Sequence, residues 1–376
     1  MKNLVVVWFV FGASLAFANS TLSIETDAFK AHLEETANSE DIVGLAVAVV
    51  RGGEVTFVET FGAREQGSAD KIGPDTTFRI ASLSKAFAAS AVSQLITEGK
   101  LSLAAPVLRF APEFRLKNVA QAKAVTLEHI LTHRTSLPPY AYDNLLEAGV
   151  APTEILGEFR KVKPICSVGQ CYAYQNVTFD MSARVIETTE GKSYQDVIKQ
   201  RLFDPLGMGG ASFGMTPLKK NDDWARSHRR KRGGVWRVAE VKQPYYSVPA
   251  AGGVNASIID MAEWLKAQMG HVPEVLSGDT LERMHRPRVS TPAEVRRMRT
   301  MPKLKTAHYG LGWRVYNYAG ETVVSHAGSV EGYSAQIAFM PGRDVGIVLL
   351  TNSRSRVFFE ILPAFLDLEL ANDEES

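Results

Sequence analysis

The stretch VGLAVAVVRGGEVTFVETF, residues 43–61, sets the fold class. Two runs rich in β-formers flank Arg51, Gly52 and Gly53, and a glycine pair between such runs marks a β-hairpin. The polar segment 66–76 reads as a loop. Ser84–Ile96 reads as a helix closed by Gly99, with Phe87, Val92 and Leu95 among its apolar residues. Residues 103–240 mix loops with short helices, including Ser182–Thr189 and Tyr194–Leu202, and Asp260–Met269 adds another helix. From residue 311 the pattern returns to strands: Trp313–Tyr318, Thr322–Ser325, Ser334–Met340 and Val345–Leu350. The turn Pro341–Asp344 separates the last two, and a helix over Val357–Leu370 follows. Strands at both ends with helices between predict an α/β (α+β) unit. Its antiparallel sheet is built from both termini and flanked by helices, with a large, mainly helical insertion.

The 376 residues are 45% hydrophobic and 22% charged, values of a globular chain with an ample core. Lys plus Arg number 42 against 41 Asp plus Glu, a balance that argues against a nucleic-acid or membrane-surface binder. Residues 1–18 combine Lys2, an apolar run from Leu4 to Phe11 and a small-residue site at Ala16-Phe17-Ala18. They read as a signal peptide, so the protein is expected to be exported, periplasmic or secreted, with no stable membrane span after cleavage. Residues 19–371 are expected to form one unit, its α/β part over about 24–80 and 296–371 and its helical part over about 81–295. An acidic tail, 372–376, follows. The basic segment 221–237 reads as a solvated loop.

No metal or organic cofactor is signalled. His129 and His133 have helical i, i+4 spacing but lack the glutamate and third ligand of a zinc site. Gly210–Gly214 matches G-x-S-x-G around Ser212, yet the preceding residues 204–209 make a poor strand for a nucleophile elbow. S-x-x-K occurs twice. Ser68–Lys71 lies in a polar loop, whereas Ser82–Lys85 stands where Phe78–Ala81 enters a helix. There Lys85 can reach the Ser82 hydroxyl across one turn, and an amine of depressed pKa can take its proton. Y-x-N also occurs twice, at Tyr142–Asn144 and Tyr174–Asn176, and local pattern does not choose between them. His326-Ala327-Gly328 stands at the end of a strand, where small residues let a substrate lie along the edge.

Over roughly residues 40–355 these motifs resemble the penicillin-recognising serine hydrolases: class C β-lactamases, serine D-Ala-D-Ala carboxypeptidases and their esterase relatives. The resemblance runs through Thr77–Lys85, Ile130–Pro138, Tyr172–Asn176, Pro205–Met208, Ala251–Val254, Tyr309–Trp313 and His326–Gly328. It implies Ser82 as the acylated nucleophile, Lys85 as its proton acceptor and Tyr174 as general acid/base, since Tyr174 lies in the Y-x-Y-x-N run. It also implies Asn176 as holder of the substrate amide and His326 at the cationic position of the third motif. Gly328 belongs to that motif, and the backbone N–H groups of Ser82 and Ser329 would form the oxyanion hole.

The implied reaction is a two-step hydrolysis through a Ser82 acyl-enzyme on a β-lactam, a D-Ala-D-Ala-type amide or an ester, without a cofactor. The partner is thus a small-molecule or peptide substrate. A carboxylesterase on the same scaffold and a non-catalytic penicillin-binding module stay open. His-Ala-Gly in place of Lys-Thr-Gly removes a permanent charge and a hydroxyl, which implies a weaker grip on a substrate carboxylate. In an exported protein, Cys166 and Cys171 are expected to pair just before Tyr174.

Overall fold

The computed structural model describes residues 27–38, 42–231 and 233–371. The expected signal peptide, 1–18, and acidic tail, 372–376, lie outside the described residues. The main sheet holds eight strands: β1 (Gly44–Arg51), β2 (Glu54–Gly62), β3 (Val289–Ser290), β4 (Leu304–Tyr309), β5 (Arg314–Tyr318), β6 (Glu321–Val330), β7 (Tyr333–Met340) and β8 (Val345–Thr351). Their spatial order is β2-β1-β8-β7-β6-β5-β4-β3, and every pairing is antiparallel. The hairpin therefore adds to the C-terminal meander by pairing β1 with β8, from Leu45 opposite Thr351 to Arg51 opposite Val345.

The composition of β1 follows from this central place. A strand buried on both faces reads as a continuous apolar run rather than an alternation. Ala46, Ala48 and Val50 pack toward the helical insertion, and Leu45, Val47 and Val49 pack toward the terminal helices. On the latter face lie α1 (residues 27–37) and α5 (Phe358–Ala371), with the Phe29 ring 5.7 Å from Phe365 and 6.0 Å from Phe57. On the opposite face α4 (Ile258–Gln268) packs across β1 and β8. Behind it runs α2 (Ser84–Thr97), buried over most of its length and joined to α4 by Phe87 stacked on Trp264 at 4.0 Å. A further helix, α3 (Val177–Glu190), packs beside α2.

Several boundaries differ from the sequence reading. The α3 helix begins at Val177 rather than Ser182, because Val177, Thr178 and Phe179 are buried and packing overrides their modest helix propensity. The sequence does not signal β3 and β4, since β3 has only two residues and β4, Leu-Lys-Thr-Ala-His-Tyr, lacks a strict apolar–polar alternation. The segment 221–237 is not simply a loop. His228–Arg230 pairs with Trp236–Val238, burying His228 and Trp236 while most of its arginines stay exposed.

The largest correction concerns the third motif, which lies within a strand rather than at its end. β6 continues to Val330 because β7 pairs with it all along, from Val324 opposite Phe339 to Val330 opposite Tyr333. β5 pairs only with Glu321–Ser325. Among the described residues no strand pairs with 326–330 on that side, which leaves a free strand edge there. Among the described residues no helix is long and apolar enough to cross a membrane.

Candidate active site

The short strand Phe78–Arg79 pairs with Val254–Ala256 and delivers the chain into a tight turn. Ala81 takes φ 49°, a strained left-handed conformation for a residue with a Cβ, and Ala81–Leu83 form one 3₁₀ turn before α2. Ser84 clamps this turn: its hydroxyl donates to Ala81 O at 2.6 Å and accepts from Val254 N–H at 3.1 Å. A 3₁₀ turn eclipses residues i and i+3. Lys85 Nζ accordingly stands 3.3 Å from Ser82 Oγ.

Lys85 is buried, and loss of hydration lowers its pKa to about 7, against the opposing pull of the carboxylates Asp143 and Asp180. Its amine donates to Asn176 Oδ1 at 2.8 Å and to Ala251 O at 2.9 Å. A neutral amine has two N–H donors and one lone pair. With both donors engaged, the lone pair faces Ser82. Asn176 is itself oriented, since its Nδ2 donates to Asp143 Oδ2 at 2.7 Å. One turn along α3, Asp180 accepts from Ala250 N–H at 2.8 Å and so holds the segment whose carbonyl grips Lys85. Burial raises the Asp180 carboxyl to about 7.

Tyr174 lies over the same amine, its ring centroid 4.7 Å from Lys85 Nζ, with its phenol beside Ser82. Burial raises its pKa far above the ordinary phenol value, so the resting group is a neutral phenol. Backbone bonds strap its segment to the 133–140 loop: Ala173 N–H to His133 O at 2.9 Å and Tyr140 N–H to Tyr174 O at 2.8 Å. Cys166 and Cys171 form a disulfide immediately upstream. Around this cleft Ala81, His133, Ser136, Tyr140 and Tyr142 all adopt positive φ, the kind of clustered strain that persists where surrounding structure over-determines it.

His326 enters a different arrangement from the one its motif suggests. Gln175 N–H donates to His133 Nδ1 at 3.2 Å, which puts the His133 proton on Nε2. His133 Nε2–H then donates to the Tyr309 oxygen at 3.2 Å, and Tyr309 O–H donates to His326 Nε2 at 3.0 Å. His326 Nδ1–H ends the chain at Ala327 O, 2.9 Å away. Burial, reinforced by the Arg314 and Lys85 charges, holds both imidazoles well below their ordinary pKa. The third-motif position therefore carries a neutral ring with both nitrogens occupied. The cation that does line the cleft is Arg314, paired with Glu294 at 3.0 Å and poised 5.8 Å from the Tyr174 ring centroid.

Gly328 lies against the nucleophile turn. A Cβ there would stand 2.3 Å from Ile80 O and 3.0 Å from Ser82 N, so only glycine lets β6 approach this closely. The cleft over these groups is a cavity of about 270 Å³ reached by Ser82, Tyr174, Asn176, Arg314, Gly328 and Ser329. Ser82, Lys85, Tyr174 and Asn176 are thus brought together. His326 abuts them from behind.

The discarded motifs lie elsewhere. Ser68 Oγ accepts from Asp70 N–H in an exposed loop, and Ser212 sits on a two-residue strand with its hydroxyl bonded by Asn255. His129 accepts from Thr126 N–H as part of a helix capping box. Among the described residues no group of three metal-ligating side chains is placed to hold an ion. Sequence reasoning missed Asp143, Asp180, Tyr309 and Arg314. Asp143 lies inside the rejected triplet Tyr142–Asn144, and Asp180 follows Asn176 by one helical turn, a spacing that could have flagged it.

A solved structure shares this fold. A penicillin-binding protein homologue from Pyrococcus abyssi, solved as an octamer, superposes with a TM-score of 0.79 at 26% identity, covering 91% of this chain and 77% of that one. In sequence, the chain is 26% identical over 362 residues to an unguisins hydrolase, ungD, of Aspergillus violaceofuscus, covering 89% of this chain and 62% of the relative. It is also 26% identical over 332 residues to protein flp of Staphylococcus aureus, covering 86% of this chain and 62% of that protein. The chain thus spans about three fifths of the length of these two relatives. The Beta-lactamase family profile matches residues 29–371, which takes in the hairpin, the insertion and the C-terminal meander, and the chain belongs to that family.

Proposed function

We propose that the protein is an exported serine acyl hydrolase that works through a Ser82 acyl-enzyme. The observation that carries this reading is Lys85 Nζ, 3.3 Å from Ser82 Oγ, with its pKa lowered to about 7 and its amine also bonded to Asn176 Oδ1 and Ala251 O, so that the neutral form keeps a lone pair for the serine proton. As Oγ bonds to the acyl carbon, its proton passes to Lys85 Nζ. The oxyanion is received by the backbone N–H groups of Ser82 and Ser329, each such donor being worth ~2.7–4 kcal/mol of barrier. Lys85 and the neutral Tyr174 phenol return the proton to the leaving nitrogen or oxygen as its bond to carbon breaks. Water then attacks the ester, gives its proton back along the same route and releases Ser82.

The substrates proposed are D-Ala-D-Ala-type amides and β-lactams, with esters as the second reading. The neutral, occupied His326 and the missing hydroxyl at Ala327 favour that second reading, because neither supplies the charge and donor that grip a lactam carboxylate. Export is supported by the 1–18 pattern and by the Cys166–Cys171 disulfide.

Incubating the protein and Ser82→Ala with a reporter penicillin and a p-nitrophenyl ester, while following mass and turnover, tests the assignment. A stable Ser82-dependent adduct marks a penicillin-binding peptidase, rapid lactam loss a β-lactamase, and ester turnover alone an esterase. No Ser82-dependent signal with either compound refutes the proposal.

A further inference from the structure

Behind the free edge of β6 lies a second cavity, about 380 Å³, that the chemistry at Ser82 leaves unused. Its lining is apolar at Met298, Met301, Phe358 and Leu362 and carries the charged residues Arg297 and Arg354 as well. It shares Arg314 and the strand residues Ala327, Gly328 and Ser329 with the cavity over Ser82, so the two hollows meet at the edge itself. Side chains along a strand alternate between faces. His326 and Gly328 are buried, with Gly328 against the Ser82 turn, whereas Ala327 and Ser329 are exposed where the two cavities meet. Their register partners Gln336 and Ser334 on β7 line the second cavity.

A guest chain that adds along residues 326–330 obeys the same alternation. If one of its side chains enters the hollow over Ser82, the next must cross to the other face of the sheet, where the second cavity lies. A compact bicyclic lactam has no second side chain to place there. We propose that this cavity is a side-chain subsite for an extended, peptide-like acyl substrate, and that it takes an apolar side chain of leucine or phenylalanine size. The inference rests on the acyl-transfer reading of Ser82.

The test uses p-nitrophenyl esters of N-acetyl-glycyl-glycine and of analogues in which either glycine becomes leucine or phenylalanine, in both configurations. The wild type is expected to prefer an apolar residue at one of the two positions by about tenfold to a hundredfold in kcat/KM. Ser334→Phe, whose ring fills the cavity, should abolish that preference and leave the glycyl-glycine ester unchanged. Met298→Trp fills it from the opposite wall and serves if Ser334→Phe melts early. A preference that survives filling, or no preference at either position, overturns the subsite while leaving the Ser82 chemistry intact. Absence of Ser82-dependent turnover of every ester overturns the acyl-transfer reading and the subsite with it.

Discussion

In the proposed mechanism, Lys85 is the residue whose charge state decides when acylation proceeds. Its ammonium form cannot accept the Ser82 proton, so acylation should be slow in acid, rise through pH about 7 and level off above it. Asp180 raises the Lys85 pKa, so Asp180→Asn should move the rise to lower pH. A flat kcat/KM profile between pH 5 and 9, or a shift in the opposite direction, contradicts this assignment. Tyr309 joins the two imidazoles behind the site. Tyr309→Phe leaves His133 Nε2 and His326 Nε2 buried without a partner, at a cost of about 1–3 kcal/mol in stability. Imidazole ¹⁵N spectra of the wild type should report His133 as the Nε2–H and His326 as the Nδ1–H tautomer, neither titrating near neutral pH. A protonated His326 ring at pH 7 would sink the assignment. Ser82 and Lys85 were legible because motif spacing reports local geometry, and the family resemblance singled out Tyr174 and Asn176. Asp143 and Tyr309 were not, because their partners lie 33 and 176 or 17 residues away.

Among elements, the proposed mechanism requires the Ser82 turn and β6 to keep a fixed separation, so that Ser82 and Ser329 can act on one carbonyl. Arg79, three residues before Ser82, and Glu331, two residues after Ser329, are braced by a 2.7 Å ion pair buried on both sides, with Arg79 also 3.8 Å over the Tyr246 ring. Glu331→Ala strands a buried guanidinium and should cost about 3–5 kcal/mol in denaturant unfolding. Arg79→Met/Glu331→Leu should recover much of that loss. An additive double mutant would show that the two residues do not act as a pair. The disulfide closes only a short loop, worth about 2 kcal/mol by chain entropy, and ends three residues before Tyr174.

At the scale of the whole molecule, the two ends of the chain depend on each other. The hairpin is completed by β8, and α1 and α5 cover the same face of the sheet. Phe365, 1% exposed and packed on Phe29, should therefore support the fold far from the cleft. Phe365→Ala should lower stability by about 3–5 kcal/mol while the acylation rate per folded molecule stays unchanged. A rate loss as large as the stability loss would mean that the terminal helices tune the site directly. By itself the sequence determined the apolar strands, the glycine turn, the S-x-x-K turn and the order of the catalytic motifs, because each is set by neighbours within a few residues. Only the tertiary structure decided that Asp143 and Asp180 stand behind Asn176 and Lys85, that the third-motif histidine is neutral and occupied, and that residues 326–330 form an open edge between two cavities. Burial, hydrogen-bond direction and strand pairing depend on residues brought together from distant parts of the chain, and no local pattern encodes them.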